Sequence, residues 1–371
     1  MSRNRRQFFL QGLAGIPALL GLPFAARSSR AASVPAAVPA TGPKVFVGPQ
    51  FFGATEVPED IFGDLPLMRK GTASMTMGGS PTSIEPIVSR EEWLLKRGAL
   101  REIHRMVLGS PPPGLDCPLN VRVEKEYDRG DYVEKRVTYL LAPGERTAAL
   151  LLAPKDRPTP GRAMLTIHPT TADGKEQTVG RGEKKEGQLT VAAANRAYGL
   201  HLVRRGFVTF SPDLLAAGER IFPGRKDFDN QPFIDANPTW SGTGKDLWDL
   251  RRAIDVMQTL PEIDPERIGS IGHSQGAGLT TALMAVEDRL KVGVSNCGAW
   301  PARISRNPFN NARTQWFIAK PALRPFCYTG KPFPIDGHEL FALAAPRPYL
   351  NICALNDSGY KVEDESFTRP A

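Results

Sequence analysis

The pentapeptide Gly272-His273-Ser274-Gln275-Gly276 stands between two stretches of different rhythm. Before it, Arg267-Ile268-Gly269-Ser270-Ile271 is a short apolar run of the kind that fits a buried strand. After it, Ala277-Gly278-Leu279-Thr280-Thr281-Ala282-Leu283-Met284-Ala285 reads as a helix. The pattern predicts a strand over 267–273, a sharp turn, and a helix over 276–288, with a serine at the apex. Such a turn strains the backbone of Ser274. Glycines at 272 and 276 remove side chains that would collide across it. The hydroxyl is then lifted out of the sheet edge, where a base and a carbonyl can both approach. G-x-S-x-G alone is short and recurs by chance. The strand before it and the helix after it supply the specificity. The plain alternative is a buried serine in an ordinary glycine turn.

The rest of the chain alternates in the same way. Residues 33–88 are rich in Pro, Gly, Ala and Ser and read as a linker and lead-in. Ser89-Arg90-Glu91-Glu92 is a capping-box pattern opening a helix that runs to about residue 107, stopped by Gly109 and Pro111-Pro112-Pro113. Strands over 121–127, 132–141 and 147–152 form an antiparallel meander. From residue 163, strands (163–168, 206–211, 267–273, 291–297, 348–355) alternate with helices (190–204, 245–260, 276–288, 338–345). That order implies a mostly parallel sheet with helices on both faces. In the helix at 245–260, Leu247, Leu250, Ile254 and Met257 keep helical spacing, and Trp248 reads as core. Two long segments, 212–244 and 299–337, follow strand ends on the edge where open α/β sheets bind ligands. They are the candidate substrate walls.

The first 32 residues read as a targeting segment. Paired arginines in Asn4-Arg5-Arg6-Gln7-Phe8-Phe9-Leu10 precede a glycine- and proline-diluted apolar stretch, and small residues at 28–32 suit cleavage. This predicts a twin-arginine export signal, contact with that export machinery, and a periplasmic or secreted protein, with no stable membrane span. The whole chain has 47 basic and 39 acidic residues, net +8. The signal holds five arginines and no acid, so the remainder carries 42 against 39, net +3. That balance gives no argument for nucleic acid. The remaining residues suffice for one large α/β domain over 89–371 with insertions. Of the four cysteines, Cys297 and Cys353 lie in apolar runs and read as buried thiols. Cys117 and Cys327 lie in loop-like sequence and could pair. Nothing has metal-ligand spacing, and no cofactor is expected.

Further motifs extend the elbow into a family pattern. Asp246-Leu247-Trp248-Asp249-Leu250-Arg251-Arg252-Ala253-Ile254-Asp255 leads to Pro265-Glu266-Arg267-Ile268-Gly269. Gly337-His338-Glu339-Leu340-Phe341-Ala342-Leu343 leads to Ala345-Pro346-Arg347-Pro348, and Pro212-Asp213 is followed by Gly218-Glu219-Arg220. Together these resemble the α/β-hydrolase superfamily, on its dienelactone hydrolase and acetyl xylan esterase side, with glucuronoyl-esterase-like features. The resemblance spans roughly residues 90–357.

It implies a serine esterase cleaving a carbohydrate or small ester. Ser274 would attack the carbonyl and form an acyl-enzyme that water then cleaves. The oxyanion would be met by the Gln275 amide and by a second amide from His168-Pro169-Thr170-Thr171. Proline has no N–H, so Thr170 or Thr171 must donate. His168 reads as a loop histidine shaping that turn. Asp357 is the expected acid, ahead of Glu363, Asp364 and Glu365. The family order then calls for a histidine after a further strand. None follows Asp357, so the last strand and helix are expected to be missing, through truncation or in a degenerate copy, unless another histidine serves. His338, at a helix start after a strand, is the candidate base; His273, inside the elbow, is set aside. The alternative function is a catalytically inactive relative that binds a sugar ester or other small ligand; a peptidase of the same fold is a third. Arg303, Arg306, Arg313 and Trp316 are either acidic-sugar contacts or structural residues of the insertion.

Overall fold

The computed structural model describes residues 89–185, 187–298, 308–329 and 333–353. The signal and linker, Asp357, Glu363, Asp364, Glu365, Arg303 and Arg306 lie outside the described residues. A helix α1 (Arg90–Leu108) leads in, with the Ser89 hydroxyl accepting from the Glu92 N–H at 3.1 Å as its N-cap. Then come β1 (Arg122–Asp128), β2 (Tyr132–Ala142), β3 (Glu145–Pro154) and β4 (Gly161–Ile167). After β4 lie α2 (Lys175–Thr178), a two-residue hairpin of β5 (Lys184–Lys185) and β6 (Gln188–Leu189), α3 (Val191–Asn195) and α4 (Tyr198–Val203). The chain continues through β7 (Val208–Pro212), α5 (Gln231–Ala236), α6 (Gly242–Met257), β8 (Ile263–His273) and α7 (Gln275–Val286). It ends, among the described residues, with β9 (Gly293–Asn296), α8 (Arg324–Thr329), α9 (Gly337–Ala344) and β10 (Tyr349–Ile352).

Eight described strands make one sheet in the order β1-β2-β3-β7-β4-β8-β9-β10. The β1-β2, β2-β3 and β3-β7 pairs are antiparallel, and every pair from β7 to β10 is parallel. The expected mostly parallel sheet with an antiparallel start is therefore present. Alternation along the strands sends side chains to two layers. Leu165, Ile167 and Phe210 pack with Leu250 and Ile254 of α6 and Leu279 and Leu283 of α7. Met164, Ile271 and Val294 face the other way, onto Tyr198 and Leu202 of α4.

The direction of travel reverses at β4. The chain leaves β4 through α2–α4, on one face, to reach β7 on one side. It then returns through α6, on the other face, to β8 on the opposite side. The strand order thus makes the carboxyl ends of β4 and β8 the topological switch point of the sheet.

One expected element is divided. The helix anticipated over 190–204 is two short helices broken at Ala197 (φ −78°, ψ 42°). The break lets the buried Tyr198 hydroxyl reach the Ile167 carbonyl. It also lets Gly199 approach the Thr178 carbonyl so closely that a β-carbon would sit 2.9 Å from it. Tertiary packing overrides helix propensity here. The Cys117–Cys327 pairing, which the sequence left open, is not formed. Cys117 is a free thiol beside Arg252 of α6, and Cys327 is a free thiol packed in the cluster around Leu100 of α1.

The Ala345-Pro346-Arg347-Pro348 motif has a packing role. Arg347 donates to the carbonyls of Met284 and Glu287 at the end of α7, to Leu290 beyond it, and to Ala344 at the end of α9. It thereby gives donors to carbonyls at the ends of two helices. Arg347→Lys keeps the charge and loses the fork. We expect it to lower unfolding free energy by about 2 kcal/mol, read as a lowered urea midpoint at unchanged slope.

Candidate active site

Ser274 occupies the single-residue gap between β8 and α7, with φ 54° and ψ −116°. For a residue with a β-carbon this left-handed conformation costs on the order of 1–3 kcal/mol. Three glycines make it feasible. A β-carbon on Gly272 would lie 2.1 Å from the Gly276 carbonyl oxygen; one on Gly276, 2.1 Å from that of Ile167; one on Gly298, 2.0 Å from that of Ser274 itself. The first two were legible as the motif. Gly298, past the end of the neighbouring strand, was not, because only the fold brings it there. The Ser274 N–H donates to Asn296 at 2.9 Å, which ties the apex to β9. The serine is half-buried, so its hydroxyl is neither entombed nor fully in solvent.

Gln275 opens a 12-residue helix. The first N–H groups of any helix lack intrahelical acceptors, and the dipole favours negative charge there. Of the loop after β4, Thr170 comes to this point: its hydroxyl donates to Gln275 Oε1 at 3.1 Å. Thr171 starts a turn, its hydroxyl accepting from the Asp173 N–H at 3.3 Å and its carbonyl from Gly174. Ser274, Gln275 and Thr170 are thus brought together, with Thr171 one residue on.

The histidines fall as follows. His273 packs its Nδ1 against the Asn296 carbonyl at 3.1 Å, within the sheet edge. His338 is buried in the first turn of α9, between Asp336 and Glu339. Those two close a reciprocal capping box, the Asp336 N–H donating to Glu339 Oε2 at 2.7 Å. His168 is fully buried, with Nδ1 2.8 Å from the Pro169 carbonyl and Nε2 accepting from the Leu214 N–H at 3.0 Å. Burial holds its pKa below the ordinary histidine value, with Asp213 and the Pro169 bond acting the other way.

Beneath the loop lies a buried charge network that motif reading touched without resolving. Asp213 Oδ1 accepts from the Lys175 N–H at 2.7 Å, and its Oδ2 takes the Lys175 ammonium at 2.5 Å and the Glu219 N–H at 3.1 Å. Lys175 also reaches Glu219 at 2.6 Å. Gly174 and Gly218, both at positive φ, leave room for the Asp213 carboxylate. Arg220 spans Asp249 and Glu145 at 2.7 and 2.9 Å, and Lys245 joins the same two carboxylates. Asp246 accepts from the Leu215 N–H at 2.9 Å. Trp248, expected as core, is partly buried and donates from its indole to the Leu141 carbonyl.

The two insertions meet over this region. Asn230 exchanges two bonds with Ile318, and the Phe317 N–H donates to Phe228 at 2.7 Å. Rings run outward from His168 through Phe228 (6.3 Å) and Phe317 (5.7 Å) to Trp316 (6.2 Å). Trp316 is exposed, and the Arg313 guanidinium lies 5.0 Å from its ring.

Comparison with known proteins bears on the fold and its relatives. Residues 245–298 match the family model described as acetyl xylan esterase. A Bacillus subtilis (strain 168) protein named as a hydrolase, YtaP, is 24% identical over 65% of this chain and 75% of its own. A promiscuous CE15 esterase from the marine bacterial metagenome superposes with a TM-score of 0.58 at 18% identity, covering 82% of this chain and 81% of that one. A glucuronoyl esterase from Solibacter usitatus gives 0.57 at 17%, covering 77% and 81%. These likenesses, with the strand order, establish the α/β-hydrolase fold. No helix among the described residues is long and apolar enough to cross a membrane.

Burial pushes the Asp246 carboxyl up to about 7, reinforced by Asp249 and opposed by the Leu215 N–H, Arg220 and Lys245. The folded state therefore holds a proton that the unfolded chain has already released. Its stabilising contribution is complete below the ordinary aspartate pKa and is lost as pH rises through about 7. Asp246→Asn keeps an acceptor for Leu215 and removes the titration. Relative to the variant, the native chain is expected to lose about 2 kcal/mol between pH 5 and pH 8, measured as the difference in urea unfolding.

Proposed function

We propose that this chain is a serine esterase acting on a carbohydrate ester through an acyl-enzyme at Ser274. One observation carries the reading. A strained, half-buried serine stands at the N-terminus of α7, at the fold's topological switch point, with Thr170 beside Gln275. Attack by the hydroxyl puts negative charge on the carbonyl oxygen. The Gln275 amide at the helix start, with the Thr170 or Thr171 amide opposite, is the donor pair that charge needs. Asp357 is the proposed acid and His338 the proposed base. The similarity of 245–298 to acetyl xylan esterases and the esterase names of the structural relatives support the ester class. Export through a twin-arginine signal, to the periplasm or beyond, belongs to the same proposal.

Ser274→Ala removes the nucleophile. Hydrolysis of p-nitrophenyl acetate should fall by at least about 10³-fold, and fluorophosphonate labelling should vanish. Labelling that survives the substitution refutes the nucleophile; a native chain that binds an acetylated xylooligosaccharide without turning it over supports the inactive ligand-binding alternative instead.

Trp316 and the aromatic rings behind it are the proposed platform for the sugar. Trp316→Ala should raise KM for an acetylated xylooligosaccharide about 5–10-fold, the worth of one stacking face at roughly 1–1.5 kcal/mol. KM for p-nitrophenyl acetate should stay unchanged. Equal changes for both esters would remove Trp316 from recognition.

A further inference from the structure

We propose that His168 is a positioning residue that aims the Thr170 amide into the space above Ser274 by holding the Pro169 carbonyl; this rests on the reading of Ser274 as the nucleophile. The argument starts with the two ring nitrogens. Leu214 presents an N–H to Nε2 at 3.0 Å, so Nε2 must carry a lone pair. Pro169 presents a carbonyl to Nδ1 at 2.8 Å, and a carbonyl only accepts, so Nδ1 must carry the proton. The partners thus select one tautomer and one charge state of a fully buried ring.

The consequence passes through one peptide plane. The Pro169–Thr170 bond is not among the cis bonds, so its C=O and N–H point in opposite directions. The ring draws the carbonyl inward. The Thr170 N–H is therefore turned outward, to the side where Thr170 is exposed and its hydroxyl meets Gln275. Pro169 has no N–H of its own, so Thr170 carries the first amide the loop can offer after His168. Without the clamp this peptide could rotate and present its carbonyl to the substrate oxygen, replacing attraction by repulsion.

The clamp is itself held. Leu214 follows Asp213, which is bound by Lys175 and by the Glu219 N–H, and it precedes Leu215, whose N–H is fixed on Asp246. The Phe228 ring lies 6.3 Å from the imidazole. The ionisable groups whose charges act on the ring are Asp213, Lys175 and Arg220. The buried network beneath the loop thus reaches the oxyanion donor through His168.

The test compares His168→Ala with His168→Asn in the full chain. Asparagine can place an amide N–H near the position of Nδ1, and alanine cannot. Alanine should lower kcat for p-nitrophenyl acetate by about 10²–10³-fold, the worth of one oxyanion donor. KM should stay within about 2-fold, since the donor acts on the transition state, and binding of a boronic acid that forms a tetrahedral adduct should weaken in parallel. Asparagine should recover at least a tenth of native kcat. Alanine kinetics like the native ones, a rise in KM that accounts for the loss, or asparagine as impaired as alanine would each overturn the role. If alanine does not fold, ¹⁵N spectra of the native chain decide. They should show a ring protonated at Nδ1 alone at pH 8, with protonation of Nε2 displaced to more acid pH than in a free imidazole; an Nε2–H tautomer or an ordinary titration overturns the clamp. A native chain that neither hydrolyses the ester nor labels at Ser274 overturns the nucleophile and this role together. One that does both while the variants behave as native overturns the role of His168 alone.

Discussion

Backbone meeting backbone with no β-carbon between is the contact on which the rest depends. Gly276 lies against the Ile167 and His168 carbonyls, and Gly272 lies against Gly276. Any larger residue at 276 would push α7 away from the end of β4. The same approach that makes the turn feasible also places Gln275 within reach of Thr170. Strain at Ser274 and the approach of Gln275 to Thr170 are therefore one event. The strain, on the order of 1–3 kcal/mol, is offset by burial along α7. Leu279, Leu283 and Met284 are all buried, each contributing about 1.5–3 kcal/mol. A helix less firmly seated could not hold its first residue in so tight a bend.

Local patterns in the sequence carried the frame. Strand–helix alternation from residue 163 specified a parallel sheet, and the elbow motif marked the serine, because both depend on residues close together in the chain. What escaped reading depends on residues far apart. Gly298 reaches Ser274 only because β9 pairs with β8. Lys175 carries no motif, yet it is buried between Asp213 and Glu219. The helix over 190–204 is periodic enough to predict whole, and it breaks because Tyr198 and Gly199 pack more closely on β4 and α2 than one straight helix allows. The Pro212-Asp213 and Gly218-Glu219-Arg220 motif was visible without its purpose, since its partners are backbone amides and charged side chains distant in the chain. His168 was legible as a loop-shaping residue; which nitrogen does what needed the partners.

The buried ion pairs invite a stability explanation that the magnitudes do not favour. Moving Lys175, Asp213, Lys245 and Asp249 out of water costs several kcal/mol per ion, and their attraction about recovers it. Apolar side chains of similar volume would fill the space at no greater cost. They could not, however, accept the N–H groups of Lys175, Glu219 and Leu215. A buried amide without an acceptor costs about 1–3 kcal/mol, so an apolar version would leave the 213–219 loop free to seek another path. The carboxylates define where that backbone runs, and Lys175, Arg220 and Lys245 pair with them there. Asp246 is the member that departs from this scheme, since it meets Leu215 with one oxygen and is raised toward neutrality by burial.

The proposed nucleophile and the proposed sugar platform lie on separate parts of the molecule. Ser274, Gln275 and Thr170 sit where a strand, a helix and a loop converge, in the packed body of the sheet. The outer wall is built from two insertions that hold each other, through Asn230 with Ile318 and Phe228 with Phe317. Phe228, Trp316 and Phe317 all have positive φ, so this wall stores backbone strain of its own. Bonds between the loops, not regular structure, keep it in place. Substitutions in the wall can therefore alter its surface without disturbing the turn at Ser274. The insertion at 212–244 meets the loop after β4 at His168, through the Phe228 ring and the Leu214 N–H. A change at Phe228 would be felt on both sides, because the ring that packs on Phe317 in the outer wall also rests against the His168 imidazole beneath it.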